Sequence, residues 1–391
     1  MNILYIGAFS IKSIVEKYPS LALDKYKTST FLIKGFRQLE DVRLDVITAP
    51  DVPSYPKLPM RFKKEFDADN KVTSVGFNNI KGIKQFSIVR NLYKEACKII
   101  CQNDDKTYVI IPYMVFHHVC VARKLKKKFG DKVVVCQTIP DIFFASKKLS
   151  AWYWMNRYAQ RNAVKSEAFV LFTKAMADYL NIPEEKYIVM ESIIDGDIYN
   201  TISNVSKDSS DKFHVLYTGS LSSVHGVMKL VEMMKLIKRD DFELWITGSG
   251  ALADNLKEAA ENDNRIRFFG TVTKEKVIEL QSKADILINP RSDKDSPHLT
   301  RYMFPSKLME YMLTGHPAII CRMSGIPEDY YQYVFVAEEG TPESLALLLD
   351  KVLDMSDDER LKFGVSARSY ILNNKTITVQ AKRIVDFIKQ F

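Results

Sequence analysis

Val215-Leu216-Tyr217-Thr218-Gly219-Ser220-Leu221-Ser222-Ser223-Val224-His225-Gly226 runs from an apolar segment into a turn of small residues, and this junction decides the fold. The apolar part is short, continuous and bounded by turn residues, as in a strand buried on both faces of a parallel sheet. The same event recurs downstream. Glu243–Thr247, Ile266–Phe269, Ile286–Asn289 and Ala318–Cys321 all read as strands, each followed by a turn and most by a helical pattern.

Outward from that region, the first half shows the same alternation. Apolar runs fall at Ile3–Ile6, Leu44–Thr48, Tyr108–Ile111, Val133–Cys136 and Phe169–Phe172. Amphipathic stretches such as Phe86–Ile100 and Val115–Lys128 lie between them. The alternation pauses over the polar stretch Glu191–Ser210 and then restarts. Two doubly wound α/β units, residues 1–195 and 196–372, are therefore expected, with strand ends and ligand at a cleft. The tail is helical over Glu343–Asp354, Asp357–Leu372 and Ile377–Gln390. Its last piece, within 373–391, follows a complete second unit, and returning to the first domain is one way to bury its apolar face.

The bulk properties agree with two globular domains: 391 residues, 46% hydrophobic and 27% charged. No apolar run is long enough for a transmembrane helix, and the start reads as a buried strand rather than a signal peptide. A cytoplasmic location follows, with peripheral contact at the inner face of the membrane as an extension. Residues 1–195 carry 31 Lys and Arg against 20 Asp and Glu, whereas residues 196–391 carry 25 against 28. The basic first half has no nucleic-acid motif, so an anionic membrane surface or a phosphate-bearing acceptor suits it better. The five cysteines, Cys97, Cys101, Cys120, Cys136 and Cys321, read as buried thiols in a reducing compartment.

Three turns of the second half follow strands and open helices: Gly219–Gly226, Thr247–Ala251 and Phe304–Glu310. Amides and the positive dipole end at such helix starts suit phosphate. In the third turn Pro305 fits the first helical turn, Ser306 can cap or bind phosphate, and Lys307 adds a cation. Glu310 lies on the Ser306 face, placed to accept both hydroxyls of a ribose. Alone, such a start is usually only a cap. Gly248, Gly250 and Ala253 match a dinucleotide fingerprint, but the next strand ends in Phe268-Phe269-Gly270-Thr271, without the acid a nicotinamide cofactor needs.

Residues 213–340 resemble the second domain of glycosyltransferase family 4, retaining enzymes of the GT-B fold, and particularly bacterial members that build surface polysaccharides. The carrying text is Leu-Tyr-Thr-Gly-Ser-Leu (216–221), Leu-Trp-Ile-Thr-Gly-Ser-Gly (244–250), Ile-Arg-Phe-Phe-Gly-Thr-Val (266–272), Ala-Asp-Ile-Leu-Ile-Asn-Pro-Arg (284–291) and Phe-Pro-Ser-Lys-Leu-Met-Glu-Tyr-Met-Leu-Thr-Gly-His-Pro (304–317). The resemblance implies a hexosyltransferase-like enzyme moving sugar from a nucleotide sugar to a glycan or lipid-linked acceptor. Backbone at Thr271 and Val272 would hold the base and Glu310 the ribose. The Ser306 and Lys307 amides would take the diphosphate, with Phe304, Pro305, Leu308, Gly219 and Gly248 also among the donor-binding residues. Gly7 and Ala8 would approach the phosphates from the first domain. The chain departs from the family at Tyr302, where a Glu is usual, at Ser220 and His225, where an Arg and a Lys are usual, and near Gln137, where some members have His. Arg291, Arg301 and Lys307 cluster around the third turn and can compensate.

The resemblance also implies transfer without a metal or other cofactor, with charge on the departing diphosphate met by dipoles, amides and cations. Lys307, Arg291, Asp141 and His118 are the catalytic candidates. His117 and His118 follow a strand and can face the cleft or merely start a helix; Asp141 can act on the acceptor or cap a loop. The Asp67/Asp69, Asp195/Asp197 and Asp293/Asp295 pairs are those that chance supplies among 48 acidic residues. Lys147-Lys148-Leu149-Ser150-Ala151-Trp152-Tyr153-Trp154-Met155-Asn156-Arg157 reads as a membrane-interface helix or, preferably, as a helix packing its rings into the first domain. A nucleotide-sugar epimerase and a non-catalytic nucleotide-binding scaffold are the rival functions.

Overall fold

In the first half the apolar runs become parallel strands. The structure, a computed structural model, describes residues 1–7, 9, 11–18, 27–143, 150–199 and 212–391. Ala8, the Lys147–Leu149 end of the aromatic segment and the polar stretch beyond residue 199 lie outside the described residues. The chain divides into two units, Met1–Ile193 with Ile377–Phe391, and Ile194–Thr376.

The strands of the first unit are β1 Asn2–Gly7, β2 Arg43–Thr48, β3 Arg61–Phe62, β4 Glu65–Asp67, β5 Val72–Ser74, β6 Phe77–Asn78, β7 Thr107–Pro112, β8 Val133–Ile139, β9 Ala168–Leu171 and β10 Tyr187–Val189. Its helices are α1 Lys12–Lys17, α2 Lys27–Arg37, α3 Lys84–Cys101, α4 Phe116–Phe129, α5 Ala151–Ala163 and α6 Lys174–Leu180. The sheet order is β10-β9-β8-β7-β1-β2-β5-β4. All pairs are parallel except β4 with β5. Every residue of β7 and β8 is buried, which is why both read as unbroken apolar runs. β3 and β6 form a separate antiparallel pair held by stacked Phe62 and Phe77 rings, 5.0 Å apart.

The second unit contains β11 Phe213–Ser220, β12 Phe242–Ser249, β13 Ile266–Gly270, β14 Ile286–Asn289, β15 Ala318–Cys321 and β16 Phe335–Ala337. Its helices are α7 Met228–Leu236, α8 Ala253–Asn262, α9 Lys274–Lys283, α10 Lys307–Thr314, α11 Pro342–Leu353 and α12 Asp357–Asn374. The all-parallel sheet runs β13-β12-β11-β14-β15-β16. Alternate strand residues feed two cores. Val215, Tyr217, Leu244 and Ile246 pack with α7 and α11, whereas Leu216, Trp245 and Leu287 pack with α10 and α12. Helices on both faces define a doubly wound sheet. Capping boxes at Thr341/Ser344 and Ser356/Glu359 start α11 and α12.

The last helix, α13 Ile377–Ile388, belongs to the first unit and packs on α2. Its buried residues Ile377, Ala381, Ile384, Val385, Phe387 and Ile388 form one apolar stripe at helical spacing, with Gln380 buried beside them.

Two expectations are corrected. The rings of the aromatic segment do not all pack inward: Trp152 is 61% and Trp154 62% exposed, while α5 buries Ala159 and Ala163. The thiols are not uniformly buried. Cys136 and Cys321 are, but Cys97 and Cys120 are half-buried and Cys101 is exposed, all five being free. No helix among the described residues is long and apolar enough to cross a membrane.

Candidate active site

In a doubly wound sheet the place for a ligand is where strand order reverses, because the loops leaving the two neighbouring strands diverge there. In the second unit that point lies between β11 and β14. Gly219 and Ser220 end β11, the loop after it holds His225, and the loop after β14 holds Arg291. Gly226 has φ +67°, and a Cβ there would lie 2.9 Å from the Pro290 carbonyl oxygen, so only glycine lets these loops meet.

Arg291 is 6% exposed. Its Nε finds no hydrogen-bond partner among the described residues, and Nη2 reaches only the Met303 sulfur, at 3.4 Å. Burial lowers the guanidinium pKa, with Asp295 opposing. A buried donor left without an oxygen costs free energy unless a ligand supplies one. Beside it, His225 Nδ1 lies 2.7 Å from Ser222 Oγ. Burial first, then the Arg291 charge, holds its imidazole below the usual range, against Asp295. A neutral imidazole and an unsatisfied guanidinium thus share the switch point.

Lys229 was not singled out by sequence. It sits in the first turn of α7, and its Nζ donates to Asp295 Oδ2 at 2.7 Å, Ser292 Oγ at 2.8 Å and the Pro290 carbonyl at 3.2 Å. Both partners are largely buried, and Asp295 Oδ2 also accepts the Ser292 amide at 2.7 Å. This network fixes the Pro290–Asp295 loop that carries Arg291. Nothing local could reveal it, since the partners stand 66 residues apart.

The third turn is built as a bare helix start. Ser306 is the N-cap of α10, is exposed, and makes no side-chain capping bond. Its hydroxyl is therefore not spent on the helix. Lys307 Nζ donates to Glu310 Oε2 at 2.9 Å. Leu308 is buried, and its amide donates to the Pro305 carbonyl at 2.8 Å. Phe304 packs 5.1 Å from Tyr330, and Tyr302 is buried with the exposed Arg301 guanidinium over its ring at 4.7 Å. Tyr311 anchors the helix: its hydroxyl accepts the Thr218 amide at 2.8 Å and lies 3.2 Å from the Thr218 carbonyl.

The second turn is tied by neighbouring strands. Thr247 Oγ1 donates to the Gly270 carbonyl at 2.7 Å, and Thr271 Oγ1 to that of Gly248 at 3.3 Å. A Cβ on Gly248 would fall 1.8 Å from the Gly219 carbonyl oxygen, so this glycine is demanded by strand packing. Thr271 is exposed and Val272 half-buried, next to the end of β13.

In the first unit the order reverses between β1 and β7. Gly7 ends β1 against Pro112 of β7, and Thr48 Oγ1 accepts the Phe9 amide and donates to the Phe9 carbonyl. Tyr113 follows β7 with φ +59°, a strained value for a bulky residue. Gln137 maintains it. Its Nε2 donates to the carbonyls of Ile111 at 2.9 Å and Tyr113 at 2.7 Å. Gln137 therefore shapes backbone here.

A cavity of about 310 Å³ opens beside Tyr113, lined also by Asp51, Gln85, His117, His118, Trp152 and Asn156. His117 Nδ1 lies 2.7 Å from Gln85 Oε1, an acceptor that favours the neutral tautomer with its proton on Nδ1. Burial pushes His117 down to about 4, and burial plus His117 pushes His118 further. His118 is fully buried, and neither ring nitrogen has a partner among the described residues. Asp141 stands just beyond β8, surface-exposed yet crowded enough that desolvation raises its carboxyl.

The acidic pairs serve the loops. Asp67 accepts from Lys12 N and Asn70 N, Asp293 from Ser324 N, and Asp295 from Lys229. Among the described residues no group of three or more His, Cys, Asp or Glu could hold a metal ion.

Residues 212–355, about a third of the chain, match the family model described as glycosyl transferases group 1. No curated protein matches. Among solved structures, a glycosyltransferase from Rickettsia africae shares 16% identity at TM-score 0.67, over 100% of this chain and 98% of that one. A lipopolysaccharide outer core galactosyltransferase in its apo form shares 15% at TM-score 0.65, over 100% of this chain and 99% of that one. The Anabaena protein HepE, solved with UDP and glucose, shares 14% at TM-score 0.61, over 100% of both chains. These likenesses establish the GT-B fold.

Proposed function

We propose that the protein is a glycosyltransferase that holds a nucleotide-sugar donor at the β11/β14 switch point of its second unit and transfers the sugar, with retention, to a glycan or lipid-linked acceptor. The observation that carries this reading is Arg291: a buried guanidinium with an unsatisfied Nε, where two loops diverge. A diphosphate supplies the oxygens that the site lacks. The group 1 glycosyl transferase match over 212–355 covers the same unit and supports the reading.

The roles follow from the chemistry. Gly219 and the bare start of α10, Ser306 and Lys307, offer amides to the diphosphate, with Leu308 next to them. Arg291 and Lys307 meet the negative charge that grows on the leaving group, which is where a preorganised cation lowers a barrier. Glu310 accepts the ribose hydroxyls, and Thr271 and Val272 border the base. On the acceptor side, the His117 Nε2 lone pair and Asp141 are the groups able to take a proton. The charge on the leaving group is met by protein groups, without a metal.

Thermal shift with uridine, guanosine and adenosine diphosphates in chelator tests the pocket, and transfer or hydrolysis across a panel of nucleotide sugars tests the chemistry. Stabilisation by at least one diphosphate, with turnover of its sugar, is expected. Binding without any turnover favours the scaffold reading, and epimerised free donor favours the isomerase.

A further inference from the structure

The proposed function leaves a second cavity of the first unit unused. It measures about 710 Å³ and lies between the β3–β6 pair and one face of α3. Lining residues on α3 run from Phe86 to Lys98, with Ile83 just before the helix. At 1.5 Å rise per residue the groove is about 22 Å long. Its walls are fixed from within: Asn91 Nδ2 donates to the Gly76 carbonyl at 2.6 Å, and the Asn78 amide to Ser87 Oγ at 3.0 Å.

Charge in this groove is one-sided. Arg61, Lys63, Lys64, Arg90, Lys94 and Lys98 face it, against the single carboxylate of Glu95. Lys64 at 2.7 Å and Lys98 at 3.3 Å already neutralise Glu95 and hold its carboxyl below the usual range. Arg61, Lys63, Arg90 and Lys94 are exposed and have no ion-pair partner among the described residues. A cleft lined by one sign of charge, with walls of low dielectric, focuses the field and collects the opposite ion. At one end Ile83 and Phe86 are 52% and 71% exposed, an apolar step beside the cations.

We propose that this groove binds an extended glycan chain carrying phosphate groups, so that the first unit holds a polyanionic acceptor away from the reacting end. Cations along a concave channel match charges repeated along a polymer, and exposed Phe86 offers a face for sugar rings. A flat bilayer would meet such a channel only at its rim. The inference rests on the transferase reading for its glycan, but binding is measured without donor or turnover.

The test uses the full chain and phosphorylated dextran, with neutral dextran, a single-stranded oligonucleotide and vesicles of phosphatidylcholine with or without phosphatidylserine. Phosphorylated dextran is expected to bind in a salt-sensitive manner, and neutral dextran not to bind. R90E/K94E should weaken it at least about tenfold and flatten the salt dependence. K257E/K362E, an equal charge change on the second unit, should leave it unaltered. R61Q/K63Q, on the opposite wall, should reproduce the loss without charge reversal. Equal loss in K257E/K362E, tighter binding of the oligonucleotide, or binding to anionic vesicles alone would each overturn the proposal. Nucleoside diphosphate binding should survive in R90E/K94E, so failure here is separable from failure of the donor site.

Discussion

Lys307 Nζ and Glu310 Oε2 stand 2.9 Å apart, so the two residues that bracket the start of α10 are each other's partners. Lys307 is 37% and Glu310 14% exposed at the side chain. A pair of that exposure contributes little stability, up to about 1 kcal/mol. Its value lies in preorganisation. The carboxylate holds the cation beside the helix start, and the cation holds the carboxylate in place for a ribose.

Glu310→Gln should therefore lower diphosphate affinity by about ten- to a hundred-fold, the range for charge-assisted hydrogen bonds. Lys307→Ala should depress kcat more than binding, because the leaving group gains charge in the transition state. The double variant should show coupling, with a combined loss smaller than the sum in free energy. Titration calorimetry and steady-state kinetics check this; additive losses would mean that the pair does not act as a unit.

Arg291 gives a prediction of opposite sign for stability and function. Arg291→Met retains the apolar stem and removes a poorly satisfied buried charge. The ligand-free variant should melt no lower than wild type, since replacing such a charge by an apolar group is often neutral or stabilising. Diphosphate affinity should fall at least about tenfold. A variant that loses several degrees in Tm and keeps affinity would make Arg291 a structural residue.

His117 and His118 make the first unit acid-sensitive. Both imidazoles sit below the value of about 6.5 that they have in an unfolded chain. The unfolded state therefore binds more protons below that pH, and the stability these rings contribute is full above it. It declines as pH falls and, for His117, is lost by about 4. Denaturant unfolding at pH 7 and pH 5 should show the drop, and His117→Gln should show a smaller one. An equal drop in both proteins would place the sensitivity elsewhere.

The legible parts of the fold were those that burial makes unambiguous. Ile286–Asn289 and Ala318–Cys321 have the same limits in the sequence reading and in the structure because every residue of each is buried. The small strands between Arg61 and Asn78, and Tyr187–Val189 at the edge, escaped notice because they are two or three residues long and half exposed. Trp152 and Trp154 misled for a geometric reason. Two residues apart on a helix, they point in widely separated directions and cannot both enter one core. Local turns pointed to Ser306, Lys307 and Glu310. The Lys229–Asp295 tie and the grip of Gln137 on Tyr113 link distant segments, and no local pattern announces them.

The account stands most directly on diphosphate binding at the β11/β14 switch point. Calorimetry of the full chain with uridine, guanosine and adenosine diphosphates, in chelator, should give saturable binding for at least one, weakened about tenfold or more by Arg291→Met and by Glu310→Gln. No binding of any of the three, or binding that both variants leave at wild-type strength, would contradict it.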